Sequence, residues 1–167
     1  MSNTIVHAQT AFAGGKYLSF RLSKEEYGIA ILKVREIIGM VDVTALPRTP
    51  DYLLGVINLR GRIIPVVDLR RKFGMSQSDF TNETCIVVVD CGTDTETTFR
   101  VGCIVDSVSE VLTISSDCFE ETPRCTNTTD DCVDGLAKLK DRVLILLDID
   151  KVIGDIDPAC LSQVPAQ

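Results

Sequence analysis

The stretch that decides the fold is GVINLRGRIIPVVDLRRKF, residues 55–73. Val, Ile and Leu crowd both sides of a short tip at Arg60 and Gly61, a pattern typical of two strands joined by a tight hairpin. We expect Gly61 to supply a positive φ at the turn. Pro65 lacks a backbone donor, which suggests a sheet edge or a bulge. Arg60 is then available to contact a partner.

A weak internal repeat relates this hairpin to the second half of the chain. The hairpin sequence can be laid on GLAKLKDRVLILLDIDKVI from Gly135, and GIAILKVREII from Gly28 can be laid on GCIVDSVSEVL from Gly102. Short apolar strands resemble one another readily, but the two segments occur in the same order in both halves. The repeat therefore favours two similar β lobes, with a boundary near residues 74–83.

The repeat also separates the shared features of the hairpin from those particular to its first copy. Arg62 and Asp68 have counterparts in the second half, so the simplest expectation is a flanking polar pair that shapes and ends the hairpin. Arg60 and Gly61 have none, because the second tip reads Lys140-Asp141. What is particular to the first tip points to function.

The rest of the chain favours a mainly β fold with minor helix. TCIVVVD, TFRVGCIVD and RVLILLDI have strand composition, and DIDKVIGDI can begin a short C-terminal helix. Residues 1–15 are predicted to form a flexible tail and residues 154–167 a second one, leaving 16–153 as a single domain made of the two lobes.

Charge and hydropathy exclude two classes of partner. The net charge is −7 and the sequence pI about 4.7, so a nucleic-acid backbone would be repelled on average. The N-terminus lacks a cationic start followed by an apolar segment, and no run of about 18 apolar residues occurs. We therefore expect a cytoplasmic protein without direct membrane insertion.

Enzymatic and metal-binding motifs are missing from the sequence. GxSxG, GxxxxGK[ST] and GxGxxG do not occur, and the single His is His7, in the predicted tail. Cys118, Cys125 and Cys132 are regularly spaced, but no CxxC pair accompanies them. We expect neither catalysis nor a metal or other cofactor. The competing hypothesis is a cytoplasmic thiol-redox or metal-binding β protein.

Three segments resemble the CheW family of bacterial chemotaxis adaptors: EEYGIAILKVREI, GVINLRGRIIPVVDLRRKF and VGCIVDSVSEVL. The NLRG tetrapeptide at Asn58 to Gly61 is the most specific piece, and the resemblance runs from about Lys16 to Ile153. It implies two intertwined, five-stranded β-barrels similar to SH3 barrels. It also implies a non-catalytic adaptor that joins chemoreceptor cytoplasmic tips to the regulatory domain of the histidine kinase CheA, alternating with that domain in rings that can include other adaptor copies.

The resemblance also implies site residues. Gly55 would lie near a kinase contact, although a turn requirement explains this glycine equally well. For the apolar site residues a plain core role is the alternative, and for Arg60 it is a solvated position at the hairpin tip. The residues implied to line the receptor-binding groove, or to lie beside it, are Val34, Glu36, Arg60, Val108 and Val111.

Overall fold

The computed structural model of the protein describes residues 14–76, 79–92, 99–121 and 132–154. These residues form eleven strands and two short α-helices, with two 3-10 turns. The strands are β1 (Gly15–Leu22), β2 (Glu25–Ala30), β3 (Val34–Gly39), β4 (Leu53–Leu59), β5 (Arg62–Asp68), β6 (Cys85–Cys91), β7 (Phe99–Val105), β8 (Ser107–Ile114), β9 (Phe119–Glu120), β10 (Val133–Lys138) and β11 (Val143–Leu147). The helices are α1 (Leu69–Lys72) and α2 (Ile149–Ile153), and the 3-10 turns are Ile31–Lys33 and Ser116–Cys118.

The strands form two sheets, which we call the first and the second lobe. The first lobe has the order β8-β1-β2-β11-β10-β9, and the second has the order β3-β6-β7-β5-β4. The pairs β2–β11 and β5–β7 are parallel, and the other pairs are antiparallel. The predicted mainly β fold with two intertwined lobes is confirmed, with the two-residue β9 as an additional sixth strand in the first lobe.

The strand register reproduces the internal repeat. Gly28 lies opposite Leu146 where β2 runs parallel to β11, and Gly102 lies opposite Val66 where β7 runs parallel to β5. The repeat aligns Gly28 with Gly102 and Val66 with Leu146, so these two pairs occupy matching places. The two halves of the chain thus exchange strands: β1 and β2 lie in the first lobe with β8–β11, whereas β3–β5 lie in the second lobe with β6 and β7.

This exchange corrects the predicted lobe boundary near residues 74–83. Those residues connect β5 to β6, and both strands belong to the second lobe. The chain instead passes between the lobes at Ile31–Lys33 and returns at Asp106, between β7 and β8. The repeat identified matching segments correctly, but two lobes that each take strands from both halves of the chain have no single boundary in the sequence.

The core consists of one shared cluster and one smaller cluster in each lobe. The shared cluster contains buried residues of both sheets, which explains why the lobes hold together without a continuous sheet. Burying one such side chain contributes about 1.5–3 kcal/mol relative to leaving it exposed. Members of the shared cluster from the first lobe include Leu18, Phe20 and Ile29, and members from the second include Val67, Val87 and Val89.

Two aspartates end the matching hairpins by capping the helices that follow. The Asp68 carboxylate accepts a hydrogen bond from the Arg70 backbone N–H at 3.0 Å, and the Asp148 carboxylate accepts one from the Asp150 N–H at 3.1 Å. A side-chain oxygen at this position satisfies one of the unpaired donors of the first helical turn. Arg62 and Asp68 lie at the two ends of β5 and so flank this strand as predicted, and Asp68 ends the hairpin by forming the cap.

Candidate functional site

The tip of the β4–β5 hairpin has an unusual backbone. Arg60 has a φ of 54° and Gly61 a φ of 86°. Positive φ at both central residues is the requirement of the type I′ turn, whose twist suits a two-residue hairpin. The Asn58 side-chain oxygen accepts a hydrogen bond from the Gly61 N–H at 2.9 Å and so holds the turn. Glycine adopts this conformation at little cost, whereas arginine does not.

Arg60 forms a two-pronged ion pair with Glu36 of β3. Arg60 Nη1 lies 2.6 Å from Glu36 Oε2, and Nη2 lies 2.7 Å from Oε1. Parallel bonds of this kind fix the relative orientation of the two groups as well as attracting them. These hydrogen bonds between the two side chains lower the pKa of Glu36 and raise the pKa of Arg60. The Arg60 side chain is 72% exposed against 24% for Glu36, so the arginine is presented to solvent.

A second ion-pair group, which the sequence reasoning missed, lies beside this pair. Arg35 Nε is 3.5 Å from one oxygen of Asp90, and Arg100 Nε is 3.3 Å from the other. The charges of Arg100 and Arg35 also act on Glu36 and help to lower its pKa. The sequence offered a signal for Arg35, since it directly precedes Glu36 in the chain. It offered none for Asp90 and Arg100, because their position beside Arg35 depends on strand pairing.

The predicted apolar residues lie along β3 and β8, which are edge strands of the second and the first lobe. Val34 on β3 is half-buried opposite Val89, and Val108 on β8 is half-buried opposite Phe20. Both pack against the shared cluster. Val111, further along β8, is 49% exposed. A plain core role therefore accounts in part for Val34 and Val108, but it does not account for Val111.

Ile37 is a further apolar residue that belongs to this surface and was not predicted. It lies on β3 opposite Val87 of the shared cluster and is 44% exposed. In the internal repeat it aligns with Val111, which lies opposite Leu18 of the same cluster. The repeat therefore contained a signal for Ile37, because it aligns Ile37 with the predicted site residue Val111. In the structure both are half-exposed apolar residues at the same place in an edge strand.

A break in the β3 register distributes the predicted site over two faces of this strand. The register shifts between Val34 and Glu36. Glu36 consequently lies opposite Val88, which belongs to the cluster of the second lobe, whereas Val34 and Ile37 face the shared cluster. Of the five residues predicted to face the receptor, the structure joins only Glu36 and Arg60 by a direct polar contact.

Gly55 has a steric reason that is independent of any partner. It is buried with a φ of 150°, and an added Cβ would collide with the backbone oxygen of Thr44 and lie 2.6 Å from the Thr44 carbonyl carbon. Thr44 and Val56 form an antiparallel bridge that brings the backbone so close. Gly55 is thus covered by Thr44 and Ala45, and a kinase contact at this place stays a prediction.

Pro65 does not lie on an edge strand, which corrects that part of its prediction. β5 lies between β7 and β4 in the sheet, and Pro65 is buried opposite Val56. The pairing of β5 with β7 begins only at Val66. Pro65 therefore precedes the stretch of β5 that has neighbours on both sides, where a missing donor would cost a ladder hydrogen bond.

The thiols give no support to the competing hypothesis within the described residues. Burial raises the pKa of Cys85, raises that of Cys91 to about 12, and raises that of Cys103 further, so these thiols stay protonated near neutral pH. No group of three His, Cys, Asp or Glu side chains in the described residues is arranged to hold a metal ion. Cys118 and Cys132 are half-buried, and Cys125 lies outside the described residues.

A family model described as CheW-like domain matches residues 16–157. The chain belongs to the CheW family. A "Chemotaxis protein CheW" from Klebsiella aerogenes is 39% identical over 152 residues, which cover 90% of this chain and 89% of that protein. The CheW protein of Thermotoga maritima is 35% identical over 83% of this chain and 87% of its own length. CheW-family members are non-catalytic adaptors in chemotaxis, so this chain is not an enzyme.

A solved CheW structure shows the same fold. The crystal structure of the scaffolding protein TtCheW from Thermoanaerobacter tengcongensis matches with a TM-score of 0.75 and 34% identity, covering 84% of this chain and 92% of that chain. The family assignment thus rests on the sequence and on the arrangement of the sheets. Among the described residues of this CheW-family chain, no helix combines the length and the apolar character that a membrane crossing requires.

Proposed function

We propose that this chain couples the cytoplasmic tips of chemoreceptors to a CheA-like histidine kinase. The observation that carries the proposal is the exposed Arg60, which the two-pronged bond to Glu36 holds beside the edge strand β3. An edge strand with half-exposed Ile37 and Val34 offers apolar contacts to the face of a helix, and a receptor tip is a helical hairpin. The charged pair would orient the helix more than add affinity.

The proposal extends to the second edge strand and to the place where the protein acts. Val108 and Val111 on β8 would contact the receptor together with Val34, Glu36 and Arg60. The regulatory domain of the kinase would bind to exposed ends of the lobes, and Gly55 would contribute by permitting the close approach of Thr44 and Ala45 there. Residues 16–153 would act as one unit in the cytoplasm, recruited to receptor arrays in which further adaptor copies can occupy the rings.

A reconstitution tests this function directly. A chemoreceptor cytoplasmic fragment and the cognate kinase are mixed with and without the chain, and kinase autophosphorylation is measured. We expect receptor-dependent stimulation only when the chain is present, and a ternary complex by size-exclusion chromatography. Failure of the chain to bind the kinase or the receptor fragment at high micromolar concentration would refute the coupling role.

A further inference from the structure

The group at the outer end of the second lobe contains more arginines than acids. Arg35, Arg60 and Arg100 surround two carboxylates, those of Glu36 and Asp90. Three positive charges against two negative ones leave a surplus of one. This local surplus contrasts with the net charge of −7 of the whole chain.

The geometry leaves the surplus charge accessible. The shortest approaches to Asp90 are those of the Nε groups of Arg35 and Arg100, one to each carboxylate oxygen. Among the described residues, the Nη groups of these two arginines donate no hydrogen bond to another side chain or to the backbone. The Arg35 side chain is 51% exposed and that of Arg100 is 31% exposed, whereas Asp90 is 29% exposed. The surface thus offers guanidinium donors above partly covered acids.

The repeat-related place in the first lobe lacks this surplus. Arg35 aligns with Ser109 and Arg100 with Glu26, and Glu110 takes the place of Glu36. There Arg142 is the shared cation, with Nε 2.5 Å from Glu26 and Nη2 3.4 Å from Glu110. The arginine surplus is therefore a property of one lobe and not of the fold.

We infer that Arg35 and Arg100 form a specificity site for an acidic side chain on the helical partner, next to the Arg60–Glu36 pair. The inference rests on the proposed function and adds the chemistry that the partner must present. A surplus of one charge suits one carboxylate, which can accept two parallel bonds from a guanidinium. A polyanion such as nucleic acid would be repelled by the rest of the acidic chain.

The test measures binding of a chemoreceptor cytoplasmic fragment to the full chain at low and high salt. The variant is Arg35→Gln with Arg100→Gln, which keeps a polar hydrogen-bonding side chain at each place and removes both charges. We expect the double variant to bind about fivefold more weakly at low salt, because two exposed charge interactions are lost. The affinity of the double variant should also depend less on salt concentration. Lys138→Gln is the matched control, because Lys138 forms an exposed pair with Glu120 at 3.0 Å in the first lobe, and it should bind as the unaltered chain does.

Variants of the receptor fragment identify the acidic residue. Its Glu and Asp residues are changed singly to Gln and Asn. One of these changes should weaken binding to the unaltered chain. The same change should leave binding to the double variant as it is, because the arginines that recognise the acid are already absent there. Equal affinity and equal salt dependence for the unaltered chain and a folded double variant would overturn the inference and leave the proposed function standing. A fragment that does not bind the unaltered chain at all would refute the proposed function itself and the partner assignment with it.

Discussion

The hairpins β4–β5 and β10–β11 occupy matching places in the two lobes, but their tips use different residues to hold the neighbouring edge strand. In the second lobe the tip residue Arg60 binds Glu36 of β3. In the first lobe Lys140 takes no part in an ion pair with the described residues. Glu110 of β8 is instead bound by Arg142, which follows the tip.

The reason for the difference is the charge on the parallel neighbour strand. Arg142 also binds Glu26 of β2, which holds its guanidinium beside β8. The repeat places Arg100 where Glu26 would be, so Arg62, the counterpart of Arg142, has a like charge at the matching place. Arg60 takes over the bond to the edge-strand glutamate, and a cation is thereby presented at the outermost point of the hairpin. Equivalent backbones thus present different charges to a partner.

The largest expected effect is on stability and compares Gly55 with Gly135. Gly55→Ala must displace backbone atoms of Thr44 at a positive φ, and we expect a loss of about 3 kcal/mol in the free energy of unfolding. Gly135→Ala meets the ring of Phe119, which can rotate away, and the Glu120 backbone oxygen at 2.8 Å, a milder backbone clash without a positive φ, so about half that loss is expected. Urea denaturation of both variants measures the difference. Equal losses would show that the two hairpins are held to their neighbours equally rigidly.

The next effect is on binding and compares Arg60 with Lys140. Arg60→Ala should weaken receptor-fragment binding by about 2 kcal/mol, roughly thirtyfold, because an interface arginine is lost. Its melting temperature and kinase binding should stay unchanged, since an exposed ion pair contributes little to stability. Lys140→Ala is the control and should change neither quantity. A lower melting temperature for Arg60→Ala would assign Arg60 a structural role, and equal binding losses would remove the asymmetry.

The sequence predicted the fold well because the repeat and the strand composition are local signals. Alternation and turn residues indicated the hairpins, and the ordered double match indicated the two lobes. The distribution of each half over both lobes was beyond the repeat itself, since strand pairing over such separations depends on the folded chain. The resemblance supplied Glu36 and Arg60, whose bond the structure shows. Asp90 and Arg100 were missed because they join Arg35 only through the pairing of β3 with β6 and of β6 with β7.

A smaller stability effect should have opposite signs at the two tips. Arg60→Gly removes a side chain from a φ of 54°, and relief of that backbone strain should raise the free energy of unfolding by about 0.5 kcal/mol after loss of the exposed ion pair. Lys140 does not have a positive φ, so Lys140→Gly should lower it by a similar amount through added chain entropy. Thermal unfolding of both variants gives the signs. A destabilised Arg60→Gly would mean that the ion pair outweighs the strain.

The smallest effect is on the titration of Glu36. Its pKa is lowered chiefly by the hydrogen bonds from Arg60, so Arg60→Ala should move the NMR titration midpoint of the Glu36 carboxyl upward. Because the folded pKa is lowered, the associated stability is present above the ordinary glutamate pKa and is lost as pH falls through the lowered value. Lys140→Ala should not move the Glu36 midpoint. An unchanged midpoint in Arg60→Ala would show that the pair does not persist in solution.

The exchange of strands imposes an order of events on the growing polypeptide. β1 leaves the ribosome well before β8, its neighbour on one side, where the Glu110 N–H donates a hydrogen bond to the Ser19 hydroxyl oxygen across 91 residues of chain. Until β8 emerges, β1 and β2 can form only a two-stranded hairpin, which is marginally stable in water. Contacts of such long range make folding slow and leave apolar strand edges exposed meanwhile. We therefore expect a nascent chain that ends before Ser107 to depend on chaperones, and neither lobe to be obtainable as a separate folding unit.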